Sequence, residues 1–167
     1  MKQVKRLLAA ILIGMFSIAV HAGAMSDYME NKGIDWLLRA QTFTPPATQY
    51  WALFTTTCTD AGPGTEVSGG SYARAAVTAS LANWSGTQGT GTTVASSGTS
   101  GTSYNNNAVA YAQSSAAWGV LTSTGLMDAS TAGNRLICID LTSTLNVSGS
   151  GFTVQFPANS LNFQMDN

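Results

Sequence analysis

Histidine is almost missing from this chain. The single copy, His21, lies in the first 24 residues, so residues 25–167 contain none. That removes the commonest general base and the commonest metal ligand from most of the sequence. Ser-His-Asp and Cys-His nucleophilic machinery is excluded there. So is zinc held by His/Cys spacing, because the only two cysteines, Cys58 and Cys138, cannot build a four-cysteine site. Charge is scarce as well, at 9% of residues, with Lys32, Arg39, Arg74 and Arg135 the only basic residues beyond position 24. They form no basic run or stripe, which argues against nucleic acid as a partner. No Walker loop or dinucleotide fingerprint occurs, since the glycine-rich stretches lack the helix and lysine that phosphate binding needs. The reading assigns no catalytic residue, cofactor or metal ligand.

The amino terminus is richer in signal. Lys2, Lys5 and Arg6 precede an apolar stretch from Leu7 to Val20, and the small residues Ala22, Gly23 and Ala24 follow. This order is that of a secretory signal peptide, with cleavage after Ala22 or Ala24. The apolar run of about 14 residues is short of the roughly 20 that span a membrane, so no stable insertion is expected once the leader is removed. Residues 1–24 are thus read as a leader and 25–167 as a single domain large enough for a core. In an exported chain, Cys58 and Cys138 suggest one disulfide; the alternative is two separate thiols.

Residues 26–40 predict a short helix. Ser26 suits the N-cap, Asp27 and Glu30 the first turn, and Met29, Ile34, Leu37 and Leu38 one face. Gly33 weakens the helix, and Pro45-Pro46 lies beyond its end. Strand patterns then follow at 49–57, 72–81, 92–96, 108–112, 118–127, 135–141, 151–156 and 161–165, with turn formers between them. The predicted fold is an all-β antiparallel β-sandwich, jelly-roll or Ig-like, with one short N-terminal helix. The Ser/Thr/Gly stretch 85–103 reads as a long hairpin or flexible loop, with presentation to a partner as the functional alternative.

Few side chains suggest chemistry. Asp60 with Glu66, and Asp128 with Asp140, are the carboxylate pairs to consider for glycoside hydrolysis, although Asp60 and Asp128 sit in turn clusters where Asp ordinarily shapes the backbone. Calcium at Asp60 or Asp128 has no EF-hand spacing behind it. Trp51, Trp84 and Trp118 are either core or platforms for a surface glycan. Asn83 and Asn146 match the glycosylation pattern by chance.

Several stretches resemble a group of small bacteriophage and prophage virion proteins labelled tail-fibre-like. They are Met25-Ser26-Asp27-Tyr28, Ile34-Asp35-Trp36-Leu37-Leu38-Arg39, Tyr50 to Thr56, Asn83-Trp84-Ser85, Gly125 to Ala129 and the closing Leu161 to Asn167. The most specific is Gly64-Thr65-Glu66-Val67-Ser68-Gly69-Gly70-Ser71-Tyr72-Ala73-Arg74. The resemblance implies a β-rich, non-enzymatic particle component that associates with itself or with other virion proteins. The leader and the two cysteines depart from that pattern. Translation from Met25 would place the chain in the virion; use of the leader would make it a periplasmic or secreted binding or adhesive module, the alternative function. Arg74 is expected either to pair locally with Glu66 or Asp60 or to sit at a subunit contact; in the second case Arg74→Ala weakens self-association, as read by sedimentation.

Overall fold

The computed structural model describes residues 15–17, 24–62 and 64–165. The rest of the leader expectation lies outside the described residues. The elements in chain order are β1 (Met15–Ser17), β2 (Ala24–Met25), α1 (Asp27–Leu38), β3 (Thr48–Phe54), β4 (Ala75–Thr78), β5 (Thr102–Tyr104), β6 (Val109–Ala110), β7 (Gly119–Met127), β8 (Arg135–Val147), β9 (Thr153–Phe156) and β10 (Asn162–Gln164). A five-stranded sheet runs β2-β8-β7-β3-β4, and β1-β9-β6 and β10-β5 form smaller sheets. Every pairing is antiparallel except β1 with β9. The described residues thus form an all-β fold of the sandwich kind with one helix.

Strands β7 and β8 form the centre. Their ladder runs from Gly119↔Val147 to Met127↔Arg135, with register breaks between Leu121 and Ser123 and between Leu126 and Met127. The main core packs Trp51 and Leu53 of β3, Leu121 and Leu126 of β7, and Ile139 of β8 against Val154 and Phe156 of β9. A second cluster, Ala52, Phe54 and Met127, covers the other face. Alternate residues of β3 therefore enter different clusters, which explains a strand apolar on both sides. Gly125 is needed where that second face is tight. A Cβ there would lie 3.0 Å from the Ile137 carbonyl oxygen and 3.0 Å from the Phe54 ring.

The helix starts as the sequence predicts. Ser26 is the N-cap and its side chain accepts from the Met29 N–H at 3.3 Å. It ends well before the prolines, because Ala40 takes a left-handed φ of 53° and the N–H groups of Arg39 and Gln41 both turn back to the Asp35 carbonyl. The strand expected at 92–96 does not form. Thr92 Oγ1 donates to the Gly89 carbonyl at 2.7 Å, and Gln88 Nε2 donates to the Ala95 carbonyl at 2.7 Å. Such side-chain bonds compete with a ladder for backbone groups. The segment pairs a little later, where β5 joins β10. Buried Asn105 fastens that corner: its amide donates to the Pro157 carbonyl at 2.7 Å and its oxygen accepts from the Leu161 N–H at 2.8 Å.

Cys58 and Cys138 are joined as a disulfide, with Cα atoms 5.6 Å apart and 80 positions of chain between them. The bond ties the loop after β3 to the middle of β8. In the chain-entropy picture a closure of this length is worth about 4 kcal/mol. Reduction is expected to lower the denaturant midpoint accordingly, measured by urea unfolding with and without dithiothreitol. An unchanged midpoint would contradict that contribution.

Candidate functional site

Among the described residues, helix α1 is anchored at its start. Ser26 is buried; its N–H donates to the Leu136 carbonyl at 3.0 Å and its hydroxyl to the Arg135 carbonyl. Tyr28 and Met29 pack against the core. Beyond Met29 the helix leaves the sheet, and Ile34, Trp36, Leu37 and Leu38 are 52%, 62%, 70% and 75% exposed. Beside it lies a groove of about 490 Å³, lined by Met25, Met29, Trp36, Phe43, Pro45 and Met165 among others. Among the described residues, no charged side chain lines it. The nearby Asp35–Arg39 pair, at 2.8 Å, is exposed and contributes little. Contiguous exposed apolar surface of this kind marks an interaction site. The groove could hold an apolar partner, and its described walls carry no group for proton transfer.

The run 64–74 has a different geometry. Val67 is buried and its N–H donates to the Leu53 carbonyl at 2.9 Å. Gly69, Gly70 and Ser71 all have positive φ. The Gly70 carbonyl accepts from the Trp118 indole at 2.9 Å, and a Cβ on Gly70 would meet that indole nitrogen at 2.9 Å. Arg74 then closes the turn. Its Nε and Nη2 donate to the two oxygens of Glu66 at 2.8 and 2.7 Å, and its Nη1 donates to the carbonyls of Ala129 and Ala132 at 2.6 and 2.8 Å. Tyr72 donates to Glu66 at 3.0 Å and accepts from the Leu53 N–H at 2.8 Å. Burial first, and then the Glu66 charge, push the Tyr72 phenol above its usual range, so it remains a donor. The Arg74 side chain is only 6% exposed. A subunit contact through Arg74 is therefore corrected to a local pairing, because its donors are turned inward.

The family model described as Podophage GP4 fiber I protein gp80 matches residues 24–164. The chain belongs to this family. No curated protein matches it. It is a phage structural protein of the fibre kind, and the matched region holds every element from β2 to β10.

In this fibre protein the other residues singled out from sequence serve the fold. The Asp128 carboxylate accepts from the N–H and the side-chain amide of Asn134 at 2.7 and 2.8 Å. Asp140 accepts from the Cys58 N–H at 2.8 Å, and Asp60 from the Ala61 N–H at 2.8 Å. Asp140 stands opposite Ser123 while Asp128 follows the far end of β7, so this pair is not brought together. Trp51 and Trp118 are buried, and Trp84 packs on Trp51 with ring centroids 5.6 Å apart. Loop 85–103 is largely exposed yet closed on itself by side-chain bonds. Sequence reasoning missed Phe43 and Pro45 as groove walls; their only signal is that they follow an apolar helix end.

Removing Arg74 leaves the partly buried Glu66 carboxylate with Tyr72 as its remaining side-chain donor and takes the guanidinium from two carbonyls. Arg74→Ala is expected to cost about 3 kcal/mol, as breaking a buried pair does, read by denaturant unfolding. A loss below about 0.5 kcal/mol, the scale of ordinary surface substitutions, would contradict the role.

Proposed function

We propose that this chain is a non-enzymatic building block on the surface of the phage particle, joined to a neighbouring virion protein through the groove beside α1. The observation that carries this reading is the joint exposure of Trp36, Leu37 and Leu38 around a groove whose described walls carry no charge. The neighbour presents an apolar, uncharged surface, since no lining charge would compensate a buried charge on the partner. The absence of histidine from residues 25–167 and the structural use of Asp60, Glu66, Asp128 and Asp140 support a role without catalysis. The rival, a secreted carbohydrate-binding module, calls for a cluster of exposed aromatic platforms; with Trp51 and Trp118 buried and Trp84 packed on Trp51, only Trp36 is exposed among the four tryptophans, which weighs against it.

The double variant Leu37→Asp/Leu38→Asp tests the reading. Both positions are exposed, so stability should shift by no more than about 0.5 kcal/mol per site. Wild-type chain is expected in pelleted particles and the variant in the supernatant, with unchanged circular dichroism. Co-pelleting of the variant would remove the groove from the reading. Wild-type chain in the culture medium, cut after Ala22 or Ala24 and absent from particles, would replace it with the secreted module.

A further inference from the structure

The small sheet β1-β9-β6 contains one strand that the chain can lose. On its β6 side β9 is tied from Phe152 to Phe156. Val109 stands opposite Phe156 and Ala110 opposite Gln155, and the carbonyls of Val154 and Phe152 accept from the N–H groups of Tyr111 and Ser114 at 3.0 and 2.9 Å. Backbone groups of successive strand residues point to opposite sides, so the N–H and C=O of Thr153 and Gln155 face β1. There Met15, Phe16 and Ser17 pair in parallel with Thr153, Val154 and Gln155, the one parallel ladder among the described residues. β1 precedes both positions at which the leader is read to end. It also lies outside residues 24–164 of the family match, whereas β9 lies inside. Cleavage after Ala22 or Ala24 and translation from Met25 therefore have the same result. β9 becomes an edge strand with unpaired backbone groups.

An open edge of this kind is a template for a further strand, and folded proteins cover or blunt such edges. We propose that the β9 edge, once β1 is gone, receives an extended segment of the neighbouring virion protein as a parallel strand. Until then the leader holds the place. What covers the edge in the full chain indicates the chemistry of its successor. β1 belongs to the uncharged stretch from Leu7 to Val20. Val154 and Phe156 are fully buried, while Thr153 and Gln155 are half-buried. The incoming residue paired with Val154 thus lies on the buried face of the sheet and its two neighbours on the outer face. That residue is apolar, since a charge there would be buried without a partner. Main-chain hydrogen bonds to Thr153 and Gln155 supply the contact, and the residue opposite Val154 supplies selectivity. The inference deepens the assembly reading above and rests on its virion neighbour, adding a second contact to the groove beside α1.

The test uses the full ¹⁵N-labelled chain and its variant Phe16→Pro, which removes a ladder N–H from β1. The Gln155 N–H is expected to exchange with deuterium about tenfold faster in the variant, while the Tyr111 N–H, bonded to Val154, keeps its protection. The blocked peptide acetyl-Ile-Gly-Met-Phe-Ser-Ile-amide repeats residues 13–18. It is expected to bind the variant about tenfold more tightly than the wild type and to restore the protection of Gln155. A version with Asp in place of Phe should bind neither chain. In particles, Gln155→Pro takes a donor from the β1 side and leaves the β6 ladder whole. With unchanged circular dichroism, that chain is expected in the supernatant. Equal Gln155 exchange in wild type and Phe16→Pro, equal peptide binding by the two, or folded Gln155→Pro chain found in particles would each overturn the inference. So would a Phe16→Pro chain that sediments as a dimer without peptide, since a second copy would then be the occupant. If the α1 double variant is lost from particles while Gln155→Pro is retained, the edge fails and the assembly reading stands. If the double variant still pellets and Gln155→Pro does not, the groove fails and the edge remains.

Discussion

Arg74 and Glu66 meet through two parallel hydrogen bonds in a region where the arginine side chain is almost wholly enclosed. Around this pair three separate parts of the chain are fixed. Tyr72 bridges Glu66 to the backbone of β3 at Leu53, and the free arm of Arg74 holds the turn between β7 and β8 through Ala129 and Ala132. The planar guanidinium suits this task because its donors are set in a rigid fork that matches a carboxylate and still leaves N–H groups for carbonyls. In a chain with few charges, one of them is thus spent inside. The pair also places Val67 in the core and Gly70 under the Trp118 indole.

Arg135, like Arg74, is turned inward, so Lys32 and Arg39 of α1 are the basic residues left nearer the surface among the described residues. Arg135 is buried, donates to the carbonyls of Thr59 and Gly62 and lies 5.7 Å over the Phe54 ring. The disulfide fastens the same loop to β8 one residue before Thr59. That loop supports the start of α1, since the Asp60 carbonyl accepts from the Asp27 N–H. The base of the helix is therefore rigidly placed while its second half stands clear of the sheet. A fixed base and an uncovered apolar end are the mechanical properties expected of an element that docks.

Local signals were legible where the chemistry is local. Ser26 as N-cap, the strands at Gln49, Trp118 and Arg135, and the turn at Asp128 to Asn134 follow from neighbouring residues alone. Reading failed where distant residues decide. The strand expected at 92–96 carries suitable residues, yet Thr92 and Gln88 satisfy the loop's own carbonyls instead. The apolar positions of α1 suggested a single face, but only Tyr28 and Met29 find the core, because the anchoring bonds at Ser26 aim the helix away from the sheet.

By itself the sequence determined the all-β character, the single short helix, the fibre-family signature at Gly64 to Arg74 and the lack of histidine in residues 25–167. Each of these depends on residue type and spacing within a few positions. Tertiary structure alone decided that Arg74 faces inward, that Trp84 packs on Trp51, and that Phe43, Pro45 and Met165 line one groove with α1. Those outcomes depend on which strands become neighbours. Strand pairing joins residues more than seventy positions apart, as between Trp51 and Leu126, through backbone groups that every residue carries alike, so residue spacing does not encode the choice.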